Sequence, residues 1–242
     1  MSSAKRFSFC RSGIFGLALV PVFLLGMTDF SAAHVFEYFE CEADNAAAFE
    51  DAITRVHEEL AGGLRPTAFL DADIWNGPSE NTHFLLLHYD SYQDWETIGR
   101  RIADTPSAQL AIENTWEVAD CDSDGLAVER GFWGDPEAPW NFYAVLPITT
   151  SDAAGYAEAF GELSEFQMEN STLLGVGLYE IRAGGNGENF VVAIGASSMA
   201  VLNENLDMLS ESDEFSEFLD EVSDIRTVGI SIQRRRLRTW EP

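Results

Sequence analysis

Lysine is almost missing from this chain of 242 residues: Lys5 is the only one, and Lys and Arg together number 14 against 41 Asp and Glu, a formal net charge of -27. That excess repels phosphate backbones and anionic membranes, which excludes nucleic-acid binding and suits a solvated surface in saline surroundings, where screening blunts self-repulsion. Cysteine is scarce, at three residues, so the chain is no disulfide-dense scaffold. All four histidines, His34, His57, His83 and His88, fall in the first part of the chain, and the remainder has no imidazole at all. No phosphate loop, nucleophile triad or dense group of metal ligands stands out, and the pattern by itself predicts no metal. Beyond residue 33 no apolar run approaches the roughly 20 residues that span a bilayer as a helix.

The first 33 residues read as an export signal. Lys5, Arg6 and Arg11 supply the positive start, residues 14–27 are almost wholly apolar, and Ser31-Ala32-Ala33 are the small residues a signal peptidase accepts. The apolar run is too short for a membrane anchor, the alternative reading. Cleavage is expected after Ala33, with a mature chain that starts at His34, is secreted or periplasmic, and makes no stable membrane insertion. Lys5, Arg6, Arg11 and Asp29 leave with the signal, so 11 basic residues remain against 40 acidic ones. Cys10 leaves too. Cys41 ends the first expected strand and Cys121 precedes the closing strand of the first half; if those strands are antiparallel neighbours, the two thiols meet, and export permits a disulfide. Two separate buried thiols are the other reading.

What is present is a pattern carried twice. Residues 35–41 form a strand, and Asp44 or Asn45 caps a helix whose apolar stripe is Phe49, Ile53, Val56 and Leu60. Gly62-Gly63 stops it. Strands 67–75 and 81–89 form a hairpin around a turn-rich Asn-Gly-Pro-Ser-Glu segment. A helix with Trp95, Ile98 and Ile102 is interrupted at Pro106 and resumes over 110–118, and strand 126–133 closes the unit. After a linker at 135–139 the order returns: strand 142–148, a helix opened by Asp152, strands 173–181 and 189–196, helices 199–209 and 214–222, and a closing strand 225–236. His88-Tyr89-Asp90-Ser91 and Gly195-Ala196-Ser197-Ser198 hold equivalent places. The domains expected are therefore 34–134 and 140–242.

Each half is an α+β, ferredoxin-like β-α-β-β-α-β unit whose helices cover one sheet face, so the other face needs a partner, and the nearest is the other half. The arrangement resembles the dimeric α/β-barrel superfamily in tandem form, a group that includes antibiotic-biosynthesis-type monooxygenases, haem-degrading enzymes, stress-responsive barrel domains and chlorite-dismutase-like proteins. The resemblance implies two sheets facing each other across a core as an intrachain barrel. It admits haem as a cofactor, although a haem-binding member wants an axial histidine and the second half offers none; no other cofactor is implied. A shared scaffold does not transfer a mechanism.

Five residues form the expected ligand-binding set: Tyr38, Trp75, His88, Tyr143 and Tyr179, aromatic or polar side chains on strands of both halves. His88, at a strand end, and Tyr38 are the catalytic candidates; His88 is also readable as a hydrogen-bonding residue at a core rim. His83 lies five residues earlier and so on the opposite sheet face. His34, if it becomes the first residue, carries an α-amine and an imidazole together, the amino-terminal half of a copper-binding histidine brace; a brace also needs another suitably placed histidine, and the repeated α/β pattern is unlike the β-sandwich scaffold on which such oxidases occur. Asp71 and Asp73 share a strand face and read as solvated carboxylates. The run Arg234, Arg235, Arg236 and Arg238 reads as pairing with nearby carboxylates.

The leading functional expectation is an exported acidic binding or stress-related protein that encloses an apolar or planar small molecule. The alternatives are a cofactor-independent monooxygenase or haem-active enzyme, and a structural component of an extracellular assembly. Exposed strand edges would leave a homo-oligomer open.

Overall fold

Paired serines and an asparagine set where the helices begin. The computed structural model describes residues 33–242, without the side chains of Asp122 and Ser123; the expected export signal, except for its last residue, Ala33, lies outside the described residues. The first unit comprises β1 (Val35–Glu42), α1 (Ala46–Glu59), β2 (Thr67–Trp75), β3 (His83–Tyr89), α2 (Tyr92–Asp104), α3 (Pro106–Val118) and β4 (Asp120–Gly134). The second has β5 (Phe142–Thr150), α4 (Ala153–Asn170), β6 (Gly175–Gly184), β7 (Phe190–Ala196), α5 (Met199–Ser210), α6 (Asp213–Val222), β8 (Arg226–Val228) and β9 (Ile232–Trp240).

Asn45 accepts from the Ala48 N–H at 3.2 Å and Asp152 from Gly155 at 3.1 Å, satisfying amides that a helix start leaves orphaned. Ser91 and Ser198 cap α2 and α5 in the same way, which is the physical basis of the equivalent four-residue segments in the two halves. Pro106 sits in the first turn of α3, where its missing N–H is harmless, and Thr105 before it is extended, so α2 and α3 separate there. Arg101 of α2 donates to the carbonyls of Leu60, Ala61 and Leu64, holding the loop that follows α1. Gly62 turns that loop with φ at 80°.

All strand pairs are antiparallel, and the two halves have the same order, β4-β1-β3-β2 and β9-β5-β7-β6. Their margins join: β2 pairs with β9, and β4 with β6. Among the described residues each of the eight long strands therefore has at least two strand neighbours. The exposed edges expected from sequence are instead used between the halves. The closing strand of the second half also departs from expectation. It is broken between Val228 and Ile232, so that β8 and β9 both lie along β5, and it runs on to Trp240.

Alternation assigns the faces. Val35, Phe39, Cys41, Leu70, Leu85 and Leu87 point to the helices and pack with Phe49, Ile53 and Ile98. The second half has the larger helix-side core, centred on Tyr156, Phe160, Phe190 and Phe218. From the opposite face Tyr38, Phe84 and Ala127 meet Phe36, Leu86, Tyr179 and Ile181, so strands of both halves share one cluster. Cys41 stands opposite Cys121 in the β1–β4 register, and the two are joined as a disulfide. No helix of the described residues is long and apolar enough to cross a membrane.

Candidate metal centre

Two strand ends bring the outermost histidines of the first half together. In the β1–β3 register Val35 faces Tyr89 and Phe36 faces His88, which places the residue just ahead of β1 beside the end of β3. His34 Nδ1 lies 2.9 Å from His88 Nε2, a separation at which one imidazole N–H donates to the other ring, or at which both nitrogens serve one ion. Asp90 follows directly, and its carboxylate joins the two imidazoles in a group whose ligand atoms all lie within 4.8 Å of one another. His34 and His88 are half-buried and Asp90 is exposed, so the group opens to solvent on one side.

An aromatic wall backs this corner. The His88 ring stacks on Phe36 at 4.9 Å with an interplanar angle of 17°, and Phe36 meets Tyr179 edge-on at 5.0 Å. Glu129 stands opposite Tyr179 in the β4–β6 register, and its backbone N–H donates to the His34 carbonyl at 3.1 Å, tying residue 34 to the sheet. Burial lowers the His88 pKa, the neighbouring His34 adds to that, and Asp90 opposes it. Burial raises the Glu129 pKa, against the pull of His34. Burial and the Glu129 charge push the Tyr179 phenol up. The corner thus favours a neutral imidazole at His88, the form that binds metal.

The second half has no such corner. Its register places Gly195 opposite Tyr143, where the first half has His88 opposite Phe36. The Trp140 indole lies over Gly195, in the space that a Cβ there would occupy. Among the described residues the His34–His88–Asp90 group is therefore not repeated in the second half.

The remaining expected residues scatter. Tyr143 is buried and donates its hydroxyl to Asp71 at 2.6 Å. Asp71 also accepts from Arg236, and Asp73 accepts from Arg234 Nε at 2.7 Å. Asp71 and Asp73 are therefore buried ion-pair partners, not the solvated carboxylates expected from sequence; the closing strand supplies the cations that alternation within β2 does not show. Tyr38 is buried with its ring over Gly125, and its phenol pKa is raised by burial and by Glu188, Glu40 and Asp124. Trp75, 71% exposed at the end of β2, stands in solvent. Only His88 and Tyr179 of the expected five reach the histidine corner. Asp90 and Glu129 had no role in the sequence reading; the β1–β3 pairing is the signal for Asp90, and the pairing of β4 with β1 and β6 is the signal for Glu129.

The fold is ferredoxin-like, here as two halves in one chain, and it is shared with solved structures of low sequence identity. Among solved structures it is similar to a "putative monooxygenase" from Fusobacterium nucleatum, at TM-score 0.62 and 13% identity over 87% of this chain and 95% of that one. A "putative monooxygenase" from Lactobacillus acidophilus gives 0.58 and 10% over 86% and 95%, and an anthrone oxidase-like protein gives 0.57 and 11% over 87% and 93%. No protein-family model and no curated protein matches the sequence.

Proposed function

We propose that the protein is an oxidoreductase of the monooxygenase kind, acting on a small, planar, electron-rich molecule at the His34–His88–Asp90 corner, with a metal ion as its resident group. The observation that carries this reading is the convergence of two imidazole nitrogens and a carboxylate within 4.8 Å at a solvent-open end of the sheet. Nitrogen and carboxylate donors of this kind suit a redox-active first-row metal, which supplies electron exchange with oxygen when bound. Phe36 and Tyr179 offer the faces and edges against which a planar substrate packs. The reaction converts a ring methylene and dioxygen into a ketone and water. Both C–H bonds of the methylene break and a C=O bond forms, so that one oxygen atom enters the substrate while the other leaves as water with the two hydrogens. All the electrons come from the substrate, and no further reductant is required.

The names carried by the similar structures support an enzyme over the binding or stress-related protein first expected, while their low identity makes the corner itself the main support. We read the scaffold as an intrachain α/β barrel, since β5 pairs with both β9 and β7. The donors favour an ion over haem. Imidazole nitrogens 2.9 Å apart leave no room for a porphyrin plane between them. The helix-side core of the second half is filled by Tyr156, Phe160, Phe190 and Phe218, with ring centroids 5.9–6.2 Å apart.

The test is oxygen uptake by the metal-loaded protein across a panel of hydroxylated anthrones. The expected result is one ketone formed per O2 consumed and a loss of at least about 100-fold on His88→Ala, more than an outer-sphere partner is worth. Equal uptake by metal-free protein would instead mark a cofactor-independent oxygenase. Stoichiometric retention of unchanged aromatic compound, with no uptake, would restore the binding-protein reading.

A further inference from the structure

We infer that export completes this site: the mature chain begins at His34 and holds one copper ion through a histidine brace made of the His34 α-amine, His34 Nδ1 and His88 Nε2. The inference rests on the reading of the same corner as a metal centre and adds its third nitrogen, its metal and the event that assembles it.

Three features meet at residue 34: the sequence ahead of it, its anchoring to the sheet, and one contact with His88. The sequence before it has the charge, apolar run and small residues of a removable export signal, ending in Ala33. The fold pins residue 34 to the sheet, because its carbonyl accepts from Glu129 and β1 starts at the next residue. The imidazole nitrogen turned toward His88 is Nδ1. Nδ1 is the ring nitrogen that forms a six-membered chelate with the α-nitrogen of its own residue, through Cα, Cβ and Cγ; Nε2 has no such reach. Finally, the partner nitrogen is His88 Nε2, 2.9 Å away. That separation would let both nitrogens reach one ion at about 2.0–2.1 Å.

The α-nitrogen explains why processing matters. While Ala33 is attached, the nitrogen of His34 is a peptide amide, planar and without a lone pair free for a metal at neutral pH. Cleavage turns it into an amine. The precursor then offers two imidazoles and a carboxylate, and the mature chain three nitrogens with Asp90 at the solvent side. A nitrogen-rich set binds Cu(II) above the other divalent first-row ions. Asn141 and Gly195 occupy the equivalent places in the second half, with Trp140 over Gly195, so the chain takes one ion and not two.

The experiment compares the protein exported from cells that make the full chain with a form that keeps Ala33 ahead of His34, and with His88→Ala in the processed form. Intact mass fixes the N-terminus, titration gives Cu(II) stoichiometry and affinity, and electron paramagnetic resonance counts coordinated nitrogens. Expected are a chain starting at His34, one Cu(II) per chain and coupling to three nitrogens. The Ala33-bearing form and His88→Ala should each bind at least about 100-fold more weakly, with fewer nitrogens. A different N-terminus, or equal affinity with and without Ala33, overturns the brace while leaving a metal centre of His34, His88 and Asp90. No binding of copper, iron, manganese or zinc by any form overturns both.

Discussion

Arg234 Nε donates to Asp73 at 2.7 Å across the junction of β2 and β9, and the same guanidinium lies 3.6 Å above the Phe84 ring. This is the central contact of an ionic seam that joins the two halves. Arg234 also reaches Glu40, while Arg236 pairs with Asp71, which accepts from Tyr143 as well. Burial works against the Arg234 charge, and Tyr143, Asp73 and Glu40 more than offset it, so its pKa stands above the ordinary value.

Arg234→Ala is therefore expected to destabilise the chain by about 3–5 kcal/mol, because Asp73 would stay buried without its cation. Adding Asp73→Asn should recover part of that loss. Urea unfolding of the single and double variants measures both, and a single variant within experimental error of the parent would show that the seam contributes nothing net.

Cys41 and Cys121 close a loop spanning 80 positions. By the chain-entropy account, loss of their cross-link costs about 4.5 kcal/mol, by making the unfolded chain less constrained. Chemical unfolding of the Cys41→Ala, Cys121→Ala double variant checks the figure. A difference below about 1 kcal/mol would mean that the pair adds little beyond its packing in the α1 core.

His57 and His83 are buried on the helix side, and burial holds both pKa values below 6.5. For His57 the Pro66 carbonyl and Glu241 oppose the shift and Arg65 adds to it; for His83, Asp73 opposes it. The unfolded chain takes these protons at higher pH than the folded one. Their contribution is thus fully present above pH 6.5 and falls as the pH drops below it, by at most about 1.4 kcal/mol per pH unit for each histidine. Carboxylates titrate over the lower part of the same range, so the informative quantity is the difference between parent and His57→Gln. That difference should shrink as the pH falls; a constant one would remove His57 from the pH dependence.

Gly195→Ala and His88→Ala should fail in opposite ways. The new methyl of the first would meet Trp140, and overpacking of this kind costs about 1–3 kcal/mol. Metal affinity should be untouched. His88→Ala removes a half-buried ring and should abolish metal binding with a smaller loss of melting temperature. Calorimetry and metal titration on the same two preparations separate the effects, and loss of metal in both would tie the corner to general stability.

The architecture was legible in the sequence because its signals are local: helix stripes, the caps at Asn45 and Asp152, the proline at 106 and the turn-rich hairpins. The Cys41–Cys121 pairing was one of two readings, conditional on antiparallel adjacency of their strands, and the β1–β4 register supplies that adjacency. What escaped were relations between distant segments. Asp71 and Asp73 looked solvated because the arginines that neutralise them lie more than 160 residues later, on a strand whose register no local pattern sets. Tyr143 looked like a cavity wall for the same reason. His34 and His88 were both noticed but not paired, since their meeting depends on β1 facing β3 with Phe36 opposite His88. The strand period did place His83 and His88 on opposite faces, and the one-sided distribution of histidine pointed to an asymmetric site.

The central claim is that one metal ion sits between His34 and His88. An anomalous-difference map, recorded at a metal absorption edge from crystals of the exported protein, tests it most directly. The account predicts a single peak about 2.0–2.1 Å from both His34 Nδ1 and His88 Nε2. A map with no peak there, or with density only on the acidic surface, would contradict it.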